Sequence, residues 1–186
     1  MIDRDYHMKE DAKKIFLTGE RDVGKSTIIE RFVRELDFVP AGFNTVPGGA
    51  SADGSTDHIY IIPFGRPLEE LPNTPPVAVR RKIEMGYDSY PEIFDSLGLE
   101  ILKSSKGSRL IVMDELGFME AKALEFQREV FACLDSDEPV IGVIKPMHTP
   151  FLDKIRAHDA VQTIEVTIEN REQVLESLLN NFKNTI

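Results

Sequence analysis

Ile15-Phe16-Leu17-Thr18-Gly19-Glu20-Arg21-Asp22-Val23-Gly24-Lys25-Ser26-Thr27 is the stretch from which the rest of the chain can be read. Its three leading apolar residues form a short buried-type strand. Residues 19–26 satisfy G-x-x-x-x-G-K-[S/T], and Ile28, Ile29, Phe32, Val33 and Leu36 follow at helical spacing. A strand, a glycine loop and a helix in that order form a cradle for phosphate. The glycines let successive backbone N–H groups turn toward one anion, and the helix N-terminus adds about half a positive charge. Lys25 has the reach to meet the outer phosphates, and the Ser26 hydroxyl is suited to hold Mg²⁺. Gly19, Glu20, Arg21, Asp22, Val23, Gly24, Lys25, Ser26 and Thr27 are therefore the candidate nucleotide-binding residues. The bland alternative is a glycine turn that opens a helix beside a solvated lysine.

A second motif lies well downstream. Leu110-Ile111-Val112-Met113 is an apolar strand ending in Asp114 and Glu115, and a parallel sheet presents its ligands at that end. Alone, the pattern is weak, because many strands end in a solvated acidic turn. Behind a phosphate loop it has the form of a Walker B element, with Asp114 on Mg²⁺ and Glu115 polarising an attacking water. The interval between the motifs leaves room for a further helix and strand. No Asn-Lys-x-Asp motif for reading guanine occurs, so the base is left open between ATP, GTP and related triphosphates.

The remaining segments continue the alternation. A helix is expected near residues 121–134, a strand at 140–144, and a helix opened by Thr149 and Pro150. A last strand at 163–167 is followed by a helix capped by Asn170. Strands alternating with helices indicate a three-layer α/β fold, a mostly parallel sheet with helices on both faces. From Pro47 to Pro91 the pattern breaks. Pro47, Pro63, Pro67, Pro72, Pro75, Pro76 and Pro91 fall there, beside a Gly/Ser/Asp-rich run at 48–57 that could be disordered without ligand. His58 to Ile62 reads as one strand of a hairpin with residues 43–46, and the rest of 47–88 as an irregular excursion from the core. Ser89 and Glu92 then fit a Ser-x-x-Glu capping box opening a helix.

The chain has 186 residues, enough for a single domain over 1–186. A formal net charge of −10 makes nucleic acid a poor partner, and it requires that positive potential for a polyanionic nucleotide be concentrated locally. No apolar run is long enough to span a bilayer, and Met1, Ile2, Asp3, Arg4 and Asp5 are too polar for a signal peptide. One cysteine, Cys133, excludes an internal disulfide; it lies in an apolar run and reads as core. A cytoplasmic location, with no membrane partner, is the expectation. Oligomeric state is left open.

These motifs resemble those of a known family, the small nucleoside triphosphatases that include the human cancer-related nucleoside triphosphatase and thermophilic archaeal and bacterial relatives. The resemblance runs from Lys13 onward. It rests on residues 15–19 leading into the loop and on Ala41-Gly42-Phe43-Asn44-Thr45, which is similar to a Gly-Phe-x-Thr element. It continues with Asp114-Glu115-Leu116-Gly117-Phe118-Met119-Glu120, which is similar to Asp-Glu-Ile-Gly-Lys-Met-Glu, and with Glu169-Asn170-Arg171. It implies a RecA-like sheet of the additional-strand class and slow Mg²⁺-dependent hydrolysis of nucleoside triphosphates. Arg171 matches a family position and is the candidate for stabilising transferred-phosphoryl charge, against the bland reading of a surface arginine. The chain departs from the family pattern in two places. Its loop interior is acidic at Glu20 and Asp22, which opposes phosphate unless turned outward, and Phe118 stands where the family has lysine.

Weaker candidates are Asn44 and Thr45 beside the loop strand, Lys145 and His148 after the strand at 140–144, and Arg80, Arg81 and Lys82 as a lid. Each also reads as an ordinary surface or strand-end residue. Two rival functions remain open: a phosphotransferase with its acceptor under residues 47–88, and a nucleotide-dependent protein-binding switch.

Overall fold

The computed structural model describes residues 12–83 and 85–183; the reading of residues 1–5 lies outside them. Strand β1 (Lys14–Thr18) is buried along most of its length, and its side chains alternate between two cores. Ile15 and Leu17 pack with Ile28, Ile29 and Phe32 of helix α1 (Lys25–Arg34) and with Val174, Leu178 and Phe182 of the last helix, α6 (Arg171–Lys183). Phe16 faces the other way, into the core that holds Phe43, Phe94, Phe126 and Phe151. Helices thus lie on both faces of a sheet, giving three layers.

The other strands are β2 (Ala41–Ala50), β3 (Thr56–Pro63), β4 (Ala78–Arg81), β5 (Gly86–Ser89), β6 (Ile111–Leu116), β7 (Val140–Ile144) and β8 (Val161–Glu165). Between β5 and β6 run α2 (Pro91–Ile93), a π-helical turn (Phe94–Gly98) and α3 (Leu99–Ser104); α4 (Leu124–Asp135) and α5 (Pro150–Arg156) follow. The sheet order is β5-β4-β3-β2-β6-β7-β1-β8. From β2 to β8 every neighbouring pair is parallel, whereas β2, β3, β4 and β5 pair antiparallel in succession. One strand, β7, separates β1 from β6, the arrangement implied by the additional-strand class. Among the described residues no helix is long and apolar enough to cross a membrane.

The hairpin of β2 and β3 forms with Phe43 opposite Pro63 and Thr45 opposite Ile61. Of the rest of residues 47–88, the stretch 64–77 is irregular as expected apart from a 3-10 turn at Leu68–Glu70, but β4 and β5 add two strands to the sheet, and Val77 and Ala78 are fully buried in the core. The run at 48–57 completes β2, whose Ala50 pairs with Asp57 beyond the turn. Prolines obscured this because they lack an N–H for a ladder. Pro47 is accommodated at a register shift between Pro47 and Ala50, and Pro63 is the last residue of β3. The four-residue β4 and β5 carry no alternation of their own and take their register from a neighbour.

The capping box at Ser89 does not form. Ser89 pairs with Ala78 as the last residue of β5, Tyr90 precedes the helix without a side-chain cap bond, and Pro91 occupies the first turn. The ladder claims Ser89, and the proline ring sets the helical start two residues later. Helix α4 begins at Leu124 rather than near 121, and β8 ends at Glu165 rather than 167. The cap at Thr149 is present: its Oγ1 accepts the Leu152 N–H at 3.2 Å, with Pro150 following. Asn170 precedes α6 and its carbonyl accepts the Val174 N–H at 2.9 Å, but its side-chain oxygen accepts from Thr167 N and its amide donates to Glu165 O.

Candidate active site

The loop between β1 and α1 depends on backbone that side chains resist. Gly19 has φ 131° and Gly24 φ 100°. A Cβ on Gly19 would lie 2.4 Å from Val166 O, so the approach of the loop to the segment after β8 admits only glycine. Asp22 also has positive φ, 62°. Glu20, Arg21 and Asp22 are exposed, with Arg21 Nε 3.6 Å from Asp22 Oδ2, while Val23 between them and the helix is buried. The acidic interior is therefore turned to solvent. Thr27 is exposed on the first turn of α1.

Lys25, the first residue of α1, is buried and folds back over the loop, where its Nζ donates to Gly19 O at 2.9 Å and Glu20 O at 2.5 Å. Its pKa is lowered, mainly by desolvation, while the charges of Glu115, Asp22 and Asp114 work the other way. Ser26 Oγ donates to Asp114 Oδ1 at 3.1 Å across 88 positions of sequence. Parallel pairing delivers Asp114: β6 sits beside β2 with Asn44 opposite Asp114. Asp114 is 7% exposed, and burial pushes its carboxyl up to about 6 despite the bonds from Ser26 and Asn44. Both acids lie at the end of β6, which extends one residue past them to Leu116.

Glu115 is partly buried and its Oε1 lies 2.9 Å from Lys145 Nζ. Thr45 Oγ1 donates to Glu115 O at 3.3 Å, and Asn44 Oδ1 accepts the Gly65 N–H at 3.3 Å. Of the weaker candidates, then, Lys145, Asn44 and Thr45 meet the acid pair. His148 does not; it is exposed and pairs with Asp153 of α5 at 2.8 Å. Nor do residues 80–82 form a lid. Arg80 and Arg81 belong to β4, Arg81 pairs with Asp88, and Lys82 pairs with Asp57 at 2.9 Å. Arg171 opens α6 alongside the loop, its Cδ 4.0 Å from where a Cβ on Gly24 would stand.

One residue of this region had no role in the sequence reading. The Glu120 carboxylate is completely buried and takes the Gly117 N–H on both oxygens, at 3.2 and 3.1 Å. Desolvation pushes its pKa up to about 7. Its place in the run from Asp114 to Glu120 was visible; its burial was not. A cavity of about 960 Å³ at the opposite end of the sheet, lined by Lys13, Phe131, His158 and Val161 among others, contains none of these groups.

A phosphate loop at the C-terminal end of β1, with an acid pair on β6 and one strand between, defines a P-loop α/β protein of the additional-strand class. The family model described as NTPase matches residues 75–179, more than half the chain. The nucleoside-triphosphatase THEP1 of Methanocaldococcus jannaschii is 31% identical over 176 residues, covering 91% of this chain and 96% of that protein. The cancer-related nucleoside-triphosphatase homolog of Bos taurus is 28% identical, covering 94% and 98%. The crystal structure of THEP1 from Aquifex aeolicus superposes with a TM-score of 0.69 at 27% identity, covering 90% of this chain and 97% of that one. The chain belongs to this family of nucleoside triphosphatases.

Proposed function

We propose that the chain is a Mg²⁺-dependent nucleoside triphosphatase that hydrolyses ATP, GTP or related triphosphates to the diphosphate and phosphate. The observation that carries this reading is the bond from Ser26 Oγ to Asp114 Oδ1 at 3.1 Å, with Glu115 next in the strand and Lys25 over the loop. Loop amides and Lys25 hold the phosphates, the lysine exchanging two carbonyl partners for phosphate oxygens. The hard oxygens of Ser26 and Asp114 converge as a Mg²⁺ site requires, and among the described residues no group of three or more His, Cys, Asp or Glu side chains offers a different cage. These two residues would hold the ion, and its charge would offset that developing on the β- and γ-phosphate oxygens.

Glu115 orients a water toward the γ-phosphorus and accepts its proton as the bond from that phosphorus to the β,γ-bridging oxygen breaks. Arg171, alongside the loop, adds positive charge to the departing diphosphate. The homologues named nucleoside-triphosphatases support the reaction class. The region in which a phosphotransferase would hold its acceptor is narrowed, because β4 and β5 are sheet strands and only residues 64–77 between β3 and β4 stay largely irregular. The lone, buried Cys133 fits the cytoplasmic location proposed with this activity.

The test is phosphate release with Mg²⁺ and ATP or GTP. Lys25→Ala abolishes nucleotide binding, whereas Glu115→Gln binds nucleotide and loses hydrolysis by about 10² or more. Hydrolysis retained in the glutamine variant removes Glu115 from this role, and a phosphorylated acceptor in place of released phosphate would replace the hydrolase with a phosphotransferase.

A further inference from the structure

Glu120 is a fully buried acid that the hydrolysis outlined above does not use. What it holds is the strand that carries the acid pair. Met113 of β6 pairs with Gly142 and Leu116 with Ile144, so β6 takes three steps where β7 takes two. The register with β2 ends at Asp114 and that with β7 resumes at Leu116, which makes Glu115 the unpaired residue of a bulge. Bulges re-aim the side chains they carry. Asp114 is fixed upstream, by its pairing with Asn44 and the bond from Ser26. The direction of Glu115 depends on what holds the strand downstream.

Two main-chain bonds do so. The Lys145 N–H donates to Leu116 O at 3.0 Å, and the Gly117 N–H donates to both oxygens of the Glu120 carboxylate, at 3.2 and 3.1 Å. Gly117 is buried beyond the last pairs with β2 and β7, so its N–H needs an acceptor from outside the ladder. Glu120 is itself tied to α4, because its carbonyl accepts the Ala123 N–H at 2.9 Å and Gln127 Nε2 at 2.7 Å. A line of bonds thus runs from α4 through Glu120 and Gly117 to the bulge. We propose that Glu120 is a positioning residue: its bond to the Gly117 N–H fixes the downstream end of the bulge and so aims the Glu115 carboxylate at the water. The inference rests on the hydrolase reading above.

The test measures phosphate release with Mg²⁺ and ATP, and binding of a β,γ-imido triphosphate, in wild type, Glu120→Met, Glu120→Gln, Glu115→Gln and the Glu115→Gln/Glu120→Met double variant. Glu120→Met removes the acceptor at similar length. Its kcat falls by about tenfold or more, the scale of a displaced catalytic group, while KM and analogue affinity stay within about threefold. Glu120→Gln keeps an oxygen for the Gly117 N–H and holds kcat to within about threefold of wild type. In the double variant the methionine adds no further loss to that of Glu115→Gln, because the residue it positions is already disabled.

A folded Glu120→Met with wild-type kcat overturns the proposal. So does a loss in Glu120→Gln as large as in Glu120→Met, which would assign the effect to charge rather than to the bond. A full further loss in the double variant, or a fall in analogue binding that matches the fall in kcat, overturns it in favour of a general structural role. Should the methionine variant not fold, Glu120→Asp carries the same comparison, its carboxylate drawn back from Gly117 by one methylene. Glu115→Gln separates the two levels: if it retains hydrolysis, the hydrolase role of Glu115 fails, and if it loses hydrolysis while Glu120→Met keeps it, only the Glu120 proposal fails.

Discussion

Glu120→Gln isolates the cost of a buried acid beneath the active site. The carboxyl is completely buried, its hydrogen-bond partner is the Gly117 N–H, and desolvation raises its pKa from the ordinary 4.5 to about 7. A carboxyl whose folded pKa lies above its unfolded value binds more protons in the native state between those two values. Stability from this group is therefore fully present below about 4.5 and is lost as pH rises toward 7. At about 1.4 kcal/mol per tenfold change in proton affinity, the loss across that window is roughly 3 kcal/mol. Glutamine copies the shape of the neutral acid and cannot ionise. Urea unfolding at pH 5, 6, 7 and 8 would give the stability of variant minus wild type. That difference should rise with pH by roughly 1 kcal/mol per unit between 5 and 7 and then level off. A difference that does not change with pH would refute the claim that Glu120 is buried as an acid, whatever its mean value.

Gly19→Ala should lower stability by about 1–3 kcal/mol and abolish nucleotide binding, because the left-handed backbone and the 2.4 Å approach to Val166 O both exclude a side chain; thermal unfolding and nucleotide titration check it. Phe126→Ala should cost about 3–5 kcal/mol in urea unfolding, since this fully buried ring meets Phe43 at 5.6 Å and Phe94 at 5.4 Å and leaves a cavity between them. Arg171→Ala should reduce kcat by at least about tenfold with a small change in KM if its charge acts on the transition state; a raised KM with kcat unchanged would make it a binding residue.

Residues 15–27 and 110–115 made much of the architecture legible, because their patterns follow from local requirements. Continuous apolar residues bury a parallel strand, and a glycine-rich turn before a helix exposes its amides to an anion. Helix starts that depend on local chemistry, such as Thr149 with Pro150, could be read directly. Ser89 shows the limit of that approach. Its capping pattern is a valid local solution, but the ladder with Ala78 outcompetes it. The same holds for β4 and β5, where the surrounding prolines suggested irregularity and antiparallel pairing imposed order from outside, while residues 64–77 between β3 and β4 stay irregular.

By itself the sequence determined the α/β class, the phosphate loop from Gly19 to Ser26 and the acids that follow an apolar strand, since each depends on a few neighbouring residues. Tertiary structure decided which distant groups meet. Ser26 reaches Asp114, and Lys145 reaches Glu115. Neither of these pairings has a sequence period, because they are set by the order of strands in the sheet. β7 lies between β1 and β6, so the residue that leaves it arrives between a phosphate loop and an acid pair.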